Sequence, residues 1–317
     1  MSKFLEDALY VSQNSVHVKI DRFAIERFVE DHSGQFKHWL DESPFRIQDL
    51  NERDRLHFLL TFNAVSFSYW GSPKWTVEHK GKMYDGSWGM VISLGRALEE
   101  GRDITDPHYL SSMSEEEWGI ITRGNVPIPL AQERCQNLRE IGGILIEKYE
   151  GDFNNLVSST DRDAVSLVDK IVEEFPCFRD ESLYKGRIVR FYKRAQVLVG
   201  DIEWMYRGKE GLEITGTERL TACTDYKDPF ILRANDILVY SPTLAEKVDS
   251  YQEIPKGSDE EIEIRSNTAV AVDLIAEGLK KKNPKIRPKD VNDDLWLESQ
   301  KKIQGIRPYH LTRTTAY

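Results

Sequence analysis

The sequence predicts a mainly α-helical fold with few short strands. Apolar residues recur every three or four positions in most segments, which is the spacing of helices that bury one face. The chain has 317 residues, of which 40% are hydrophobic, so it can form the core of one large domain or of two modest ones. Both observations favour a helical globular protein.

Charge and cysteine use argue against several classes of function. The formal net charge is −10, with 53 acidic against 43 basic residues, so long nucleic acid is not expected as a partner. Cys135, Cys177 and Cys223 are widely spaced and lack CxxC pairing, which argues against disulfides and a zinc site. The sequence shows neither a basic, apolar leader nor a run of about 18 apolar residues. We therefore expect a cytoplasmic protein with no membrane partner.

The N-terminal region is predicted to pack as two helices. Helical spacing covers residues 3–13 and 22–32, and a β-branched stretch from Val16 to Ile20 joins them. His32 and His38 follow in a polar turn. Because neither has a cysteine or aspartate at ligand spacing, we expect surface histidines rather than metal ligands.

An aromatic stripe marks the next helix, predicted from Arg55 to Tyr69. Most of this stripe is expected to be core. Asn63 interrupts it and, as a polar amide among apolar residues, needs a specific hydrogen-bond partner. Trp70 and Trp75 then lie in a loop with Gly and Pro, where exposed tryptophans suit stacking on a flat heteroaromatic ring.

The middle of the chain is predicted to be scaffold. Asp85 or Ser87 caps a helix that runs to Leu98, and a plain cap and a pocket wall are both compatible with the sequence here. Three further helices with charged outer faces are predicted over residues 114–122, 130–149 and 162–175.

Residues 186–204, GRIVRFYKRAQVLVGDIEW, are predicted to form a largely buried helix, because apolar positions cover most of its circumference. Its charged residues then need partners, since unpaired buried charge is costly. At about 100° per residue, Arg194 and Asp201 lie nearly on one face, and Lys193 is offset from Asp201 by roughly 80°. An internal ion pair and a catalytic carboxylate beside a cation are both compatible with this pattern.

The C-terminal third begins with Asp225, in a turn before a helix that starts at Pro229. An aspartate at this place is either a helix cap or a functional group. Residues 256–263 are predicted to be an acidic surface loop, followed by an amphipathic helix from Ile264 to Leu279. Residues 280–289 are predicted to be a solvated basic linker.

A final helix and a basic tail complete the chain. The head of this helix carries Asp293, Asp294 and Trp296. The tail contains Arg307, His310 and Arg313 and no acid. We expect it to dock and to present cations to an anion such as a phosphate monoester.

Seven segments, taken in order, resemble the queuosine salvage protein family. The similarity runs from near Arg55 to the C-terminus and rests on FNAVSFSYW (62–70), YDGSWGM (84–90), YKRAQVLVGDIEW (192–204), TDYKDPFILR (224–233), EIEIRSNTAVAV (261–272), DDLWL (293–297) and the closing RPYHLTRTTAY. The resemblance implies a fold similar to the helical (helix-hairpin-helix type) DNA glycosylases. It also implies a single catalytic domain over residues 1–317, with two helical lobes and the active site between them.

Members of that family are queuosine 5′-phosphate N-glycosylases. The resemblance therefore implies hydrolysis of the N-glycosidic bond of queuosine 5′-monophosphate. The products are queuine, a 7-deazaguanine base with an aminomethyl-cyclopentenediol group, and ribose 5-phosphate. The substrate is a small-molecule nucleotide, no metal or redox cofactor is implied, and the oligomeric state stays open.

Carried over residue by residue, the resemblance gives roles to two pairs. Asp201 matches the family's catalytic carboxylate, and Lys193 matches the lysine of its KRAQ motif. Asp225 and Tyr226 match an Asp-Tyr pair, while Lys227 stands where the family usually has arginine.

The sequence also departs from the family pattern. Phe230 replaces a common glutamine. Tyr309 and Leu311 depart from the tail pattern, whereas His310 and Arg313 remain.

Breaking a nucleoside C–N bond builds positive charge on the ribose, so a carboxylate near the anomeric carbon lowers the barrier. Asp201 is predicted to be this group, kept ionised by Lys193 or Arg194. A second carboxylate is predicted to bind the base, aromatic side chains to sandwich it, and the tail to bind the 5′-phosphate. The predicted substrate-binding residues are Asn63, Phe67, Ser68, Tyr69, Trp70, Trp88, Asp225, Tyr226, Asp294, Trp296, His310 and Arg313.

Two other functions are compatible with such a chain. A DNA-lesion glycosylase on a similar scaffold would share the carboxylate but needs a basic face, which the net charge opposes. A non-catalytic protein that binds a nucleobase or another small ligand would use the same aromatic pocket.

Overall fold

A computed structural model describes residues 2–301 and 305–317. Over these residues the chain is mainly helical, which confirms the predicted fold class. The α-helices are α1 (Lys3–Asn14), α2 (Arg22–Asp31), α3 (Glu52–Ala64), α4 (Gly86–Glu99), α5 (Pro107–Ser111), α6 (Glu115–Ile121), α7 (Ala131–Tyr149), α8 (Phe153–Ser158), α9 (Ala164–Glu174), α10 (Lys193–Tyr206), α11 (Asp228–Ala234), α12 (Pro242–Asp249), α13 (Asp259–Leu279) and α14 (Pro288–Glu298).

The strands in the described ranges are short and form antiparallel pairs. The pairs are β1 (Val18–Ile20) with β6 (Leu238–Tyr240), β2 (Thr76–His79) with β3 (Lys82–Asp85), and β4 (Glu181–Tyr184) with β5 (Arg187–Arg190). In register, Lys19 lies opposite Val239, Val77 opposite Tyr84, and Leu183 opposite Ile188. Single 3₁₀ turns occur at Trp39–Glu42, Ile47–Asp49, Pro176–Phe178 and Thr217–Arg219.

The helices pack around two main apolar cores, which we call the large core and the small core. The large core joins α3, α4, α6, α7, α8, α9 and α10, with residues such as Phe58 and Leu198 fully buried. The small core joins α2, α11, α12, α13 and α14 with the β1–β6 pair. Within it, α13 packs against α2, α11 and α14 and also contacts α1. The buried apolar residues of α10 therefore lie in the large core, and those of α14 lie in the small core.

Helices predicted from apolar spacing are confirmed in most of the chain. The predictions over residues 3–13, 22–32, 114–122, 130–149 and 162–175 correspond to α1, α2, α6, α7 and α9. Polar side chains cap the N-termini of several of these helices. For example, Ser114 Oγ accepts the N–H of Glu117 at the start of α6. None of the helices in the described part of the chain combines the length and the apolarity needed to cross a membrane.

The prediction of one helix from Arg55 to Tyr69 is wrong at its C-terminal end. Helix α3 stops at Ala64, and the chain continues without regular secondary structure, with Ser68 at a φ of 36°. The side chain of Arg134 donates to the carbonyl oxygens of Val65, Phe67 and Ser68. Because this buried guanidinium satisfies those carbonyls, the segment needs no helical hydrogen bonds.

The tryptophans after this segment are buried, contrary to the predicted exposed loop. Trp75 is fully buried and its indole N–H donates to Thr122 O at 3.0 Å. Trp70 is also buried, and its indole N–H donates to Thr312 O at 3.2 Å in the C-terminal tail. The docked tail thus covers a ring that the local sequence places on the surface.

The prediction of a helix over residues 186–204 is correct only from Lys193 onward. Arg187–Arg190 form β5, and Ile188 is exposed. Tyr192 adopts a φ of 45°, and the carbonyl oxygen of Asp180 accepts the N–H groups of Phe191 and Tyr192. This turn separates the hairpin from α10.

The acidic stretch at residues 256–263 is a surface loop, as predicted, only up to Ser258. Helix α13 begins at Asp259, where Ser258 Oγ accepts the N–H of Glu261, and both Glu261 and Glu263 are fully buried. Glu263 Oε2 accepts the N–H groups of three successive residues, Val16, His17 and Val18. These carboxylates are tolerated inside because each is hydrogen-bonded.

Candidate active site

A pocket lies between α3, α10 and α14. We call it the carboxylate chamber, because Asp201 and Asp293 form part of its wall, together with the rings of Trp39, Phe62 and Trp296. Helix α10 belongs to the large core, whereas α14 contacts both cores, the small one through Val291 and Leu295 and the large one through Trp296, so the chamber lies where the two cores meet.

A second pocket adjoins the first. We call it the lysine chamber, because Lys74 and Lys227 line it along with several tyrosines. Five residues line both chambers and mark the boundary between them: Ser66, Ser87, Lys193, Asp225 and Trp296.

Asp201 lies in the wall of the carboxylate chamber and is fully buried. Its carboxylate accepts the indole N–H of Trp39 at 2.8 Å and the amide N–H of Asn63 at 3.0 Å. Burial raises the pKa of Asp201 to about 7, although Lys289 and both hydrogen bonds act in the opposite direction. Near neutral pH this carboxyl group is therefore only partly ionised.

Helix α14 contributes the second carboxylate and the nearest ammonium group. Lys289 Nζ lies 2.6 Å from Asp293 Oδ2, one turn along the helix, and both residues are buried. Burial raises the pKa of Asp293, and Lys289 opposes that rise. The lysine stem crosses α10 at Gly200, where an added Cβ would stand 2.1 Å from Lys289 Cε. Only glycine leaves room for this crossing.

His38 lies behind the carboxylates. Its Nδ1 accepts the N–H of Leu40 at 3.2 Å, so in the neutral ring the proton is on Nε2. That nitrogen is 3.7 Å from Asp201 Oδ1 and 3.7 Å from Asp293 Oδ2. Burial, followed by the charge of Lys289, lowers the pKa of His38 well below its usual value, so the ring is neutral. His38 therefore points an N–H between two carboxyl groups.

Lys193 and Asp225 form an ion pair at the boundary of the two chambers. Lys193 Nζ and Asp225 Oδ2 are 3.4 Å apart, and both side chains are largely buried. The other oxygen, Asp225 Oδ1, accepts the backbone N–H of Lys227 at 2.6 Å. The pair therefore places the carboxylate of Asp225 where the carboxylate chamber and the lysine chamber meet.

The lysine chamber contains a cation without a close carboxylate. Lys227 Nζ lies 5.4 Å from the ring of Tyr309 and forms no ion pair with any acidic residue in the described ranges. Lys74, in contrast, pairs with Asp85 at 2.8 Å. Burial and the charge of Lys74 lower the pKa of Lys227, which indicates that an anion beside it would be stabilised.

The sequence of this chain matches a model of one protein family. The model is described as "Queuosine salvage protein" and matches residues 47–317. The chain belongs to the queuosine salvage protein family. The match includes every element that lines the two chambers except the turn at Trp39.

Relatives in this family come from bacteria and eukaryotes. A protein of Sphaerobacter thermophilus is 36% identical over 311 residues, which cover 98% of this chain and 93% of the relative. A Mus musculus protein is 33% identical over 331 residues, with 98% of each chain covered. A Schizosaccharomyces pombe protein is 26% identical over 332 residues, with 97% and 94% covered. Each is named queuosine 5′-phosphate N-glycosylase/hydrolase.

Most residues that the family resemblance selected line one or both chambers. Those in the carboxylate chamber are Asn63, Lys193, Asp201, Asp225 and Trp296. Those in the lysine chamber are Phe67, Tyr69, Trp70, Lys193, Asp225, Tyr226 and Trp296.

Three predicted residues of the substrate site lie outside both chambers. Ser68 is fully buried, and its hydroxyl donates to Thr314 O at 2.6 Å, so it anchors the tail. Trp88 packs edge-on against Trp296 from behind, with ring centres 5.0 Å apart. Asp294 turns away from the chambers and contacts His32 Nε2 at 3.0 Å. Its neighbour on α14, Asp293, takes the inward position because adjacent helix residues point about 100° apart.

The tail residues also lie outside the chambers. His310 is buried against Tyr317, with ring centres 6.2 Å apart, and burial lowers its pKa to about 3. Arg313 is exposed, and its guanidinium lies over the ring of Trp70 at 4.1 Å. The tail docks as predicted, but Tyr309, a departure from the family pattern, lines the lysine chamber instead.

The predicted ion pairing of Asp201 with Lys193 or Arg194 is wrong. Lys193 pairs with Asp225, and Arg194 donates to the backbone carbonyls of Asn63, Ala64 and Cys177. The angular argument neglected distance along the helix, because eight residues separate two side chains by about 12 Å. Lys289 is the cation whose charge lowers the pKa of Asp201.

Sequence reasoning missed two groups of this site. Lys289 was assigned to a solvated linker, but Pro288 marks the first turn of α14, so Lys289 and Asp293 form an i, i+4 pair. That signal was present in the sequence. His38 was assigned to the surface, and no local pattern indicates that α10 and α14 enclose it.

Proposed function

We propose that this chain hydrolyses the N-glycosidic bond of queuosine 5′-monophosphate, releasing queuine and ribose 5-phosphate. The observation that carries the proposal is the position of the Lys193–Asp225 pair between two chambers of unlike chemistry. In a nucleotide the scissile bond likewise lies between a flat base and a sugar phosphate. The names of the family relatives supply the identity of that base.

The base occupies the carboxylate chamber in this proposal. The rings of Trp39, Phe62 and Trp296 offer apolar faces to a flat heterocycle. A 7-deazaguanine edge presents N–H donors and a carbonyl acceptor, and its side chain carries an amine. Asp293 accepts hydrogen bonds, while Lys289 and protonated Asp201 donate them. The chamber thus offers both kinds of partner to a mixed polar edge.

The 5′-phosphate occupies the lysine chamber. Lys227 supplies an ammonium group without a competing carboxylate partner in the described residues, and the tyrosines around it supply hydroxyl donors. This assignment replaces the earlier prediction of His310 and Arg313, because those side chains lie outside the chamber.

Asp225 is the carboxylate best placed to act on the sugar. It lines both chambers, and its Oδ2 lies 3.4 Å from Lys193 Nζ. As the C–N bond breaks, its electron pair leaves with the base and positive charge develops on C1′, which Asp225 stabilises. Water then adds hydroxide to C1′, and its proton goes to the departing base. Asp201, the sequence-based candidate, lines only the carboxylate chamber and serves base recognition in this proposal.

The finer fold expectations also stay proposals. We propose that the chain is one catalytic domain of two helical lobes, comparable to the helix-hairpin-helix DNA glycosylases. The presence of a large and a small core that meet at the chambers supports this proposal.

Incubation of the protein with queuosine 5′-monophosphate tests the proposed function. We expect free queuine and ribose 5-phosphate in equal amounts by chromatography. Recovery of intact nucleotide that co-elutes with the protein would instead indicate a binding protein. A salt-dependent gel shift on duplex DNA, with base release from that DNA, would indicate a lesion glycosylase.

Replacement of Lys227 by methionine tests the phosphate site. Because a hydrogen bond to a charged group contributes about 1.5–3 kcal/mol, we expect KM for the monophosphate to rise roughly 10- to 100-fold. KM for the unphosphorylated nucleoside should change little. Arg313→Met is the comparison, since its guanidinium lies on the outer side of Trp70. A selective rise in KM with Arg313→Met, and none with Lys227→Met, would return the phosphate to the tail.

A further inference from the structure

A fully buried arginine on α13 links the two segments that carry Lys193 and Asp225. The Arg265 guanidinium binds both oxygens of Asp180, at 2.9 and 2.6 Å, and both side chains are buried. Its Nε donates to the carbonyl oxygen of Thr224 at 3.1 Å. Thr224 immediately precedes Asp225, so this bond fixes the backbone that carries the carboxylate.

Asp180 makes the corresponding contact on the lysine side. Its Oδ2 accepts the backbone N–H of Lys193 at 3.3 Å, at the first residue of α10. The residue at the N-cap position, Tyr192, provides no side-chain cap of its own. Asp180, which lies outside α10, therefore supplies the hydrogen-bond acceptor that the N-terminus of this helix lacks.

Aromatic rings hold the arginine on both sides. Its guanidinium lies 3.8 Å from the ring centre of Phe191 and 4.3 Å from that of Tyr317. A second carboxylate, Glu261, approaches at 3.4 Å. The planar guanidinium of Arg265 is thus held in one orientation, and the ammonium group of a lysine cannot make the same set of hydrogen bonds.

We propose that Arg265 and Asp180 are positioning residues that set the distance between Lys193 and Asp225. The inference rests on the proposed function. The contacts form a closed path from the Lys193 backbone through Asp180, Arg265 and Thr224 to Asp225, and the 3.4 Å ion pair closes it. Buried ion pairs often add little to stability compared with apolar residues of the same volume, so a geometric role explains this one better.

Arg265→Lys keeps the charge but loses the two-pronged contact with Asp180 and the bond to Thr224. We expect kcat for base release to fall about 100-fold while KM stays within about threefold, because displacement by roughly 1 Å has this effect on positioned groups. A crystal structure of the variant should show a longer Lys193 Nζ–Asp225 Oδ2 distance. In an Asp225→Asn background, Arg265→Lys should add almost no further loss.

Arg233→Lys is the matched control. Arg233 also pairs through both terminal nitrogens with one aspartate, Asp249, and also lies over a tyrosine ring, that of Tyr240. It contacts neither segment of the path, so kcat should be retained. If Arg265→Lys does not fold, Asp180→Asn replaces it, with the same split between kcat and KM expected.

Several outcomes would overturn the proposal. They are a folded Arg265→Lys variant with kcat within about threefold of the parent, an equal loss in Arg233→Lys, and a full additional loss in the Asp225→Asn background. If the parent enzyme releases no base, the proposed function fails instead. The Lys193–Asp225 distance in crystals of the variant still tests the positioning role in that case.

Discussion

Replacing Asp225 with asparagine is expected to lower kcat for base release at least about 1,000-fold, the loss typical when a preorganised charge at a reacting centre is removed. The amide keeps the shape of the carboxylate but cannot stabilise the positive charge that develops on C1′. Binding of the nucleotide should change much less, because the two chambers that hold its ends are intact. Single-turnover release of queuine and equilibrium binding of the monophosphate measure the two effects separately.

Two variants accompany this measurement. Asp169→Asn removes a carboxylate that also pairs with a lysine, Lys3, but lines neither chamber, and should leave kcat unchanged. Asp201→Asn tests the sequence-based assignment. If Asp201→Asn loses turnover while Asp225→Asn stays within about tenfold of the parent, the catalytic carboxylate is Asp201.

The second large effect is a pH-dependent loss of stability caused by Asp201. Its carboxyl group has a pKa of about 7 in the folded protein, whereas an unfolded chain ionises aspartate near pH 4. Between these values the unfolded chain has released a proton that the folded protein retains. Raising the pH through this window therefore favours unfolding, by about 1.4 kcal/mol per pH unit and on the order of 4 kcal/mol in total.

Urea unfolding of the parent and of Asp201→Asn at intervals from pH 4 to pH 8 measures this contribution. The difference between their free energies of unfolding should change across the window, with the parent losing stability relative to the variant as the pH rises. Above pH 7 the difference should level off, because Asp201 is then ionised in both states. Parallel curves throughout the range would show that Asp201 has an ordinary pKa.

The helical framework was predictable because it depends on local spacing. Helices such as α7 and α9 bury one continuous stripe, and that stripe is visible in the sequence. The end of α3 was not predictable in the same way. The irregular segment that follows it depends on Arg134, which lies about 70 positions later in the chain and donates hydrogen bonds to the backbone carbonyls.

The site was predictable in part. Family resemblance selected Lys193 and Asp225, whose meeting depends on tertiary structure that no helical wheel represents. It could not distinguish Asp293 from Asp294, since only the packing of α14 decides which of two adjacent carboxylates faces inward. His38 and Trp39 were missed because their short turn carries no periodic pattern and is buried by distant helices.

The crossing of Lys289 over Gly200 has a consequence for sequence variation. A methyl group at position 200 would occupy the space of the lysine stem, so alanine there requires the side chain of Lys289 to move away from α10. The dependence runs in one direction, because a shorter residue at position 289 is compatible with glycine at position 200. A relative that carries a larger residue in place of Gly200 should also have a shorter residue in place of Lys289, and it should recognise a differently charged base.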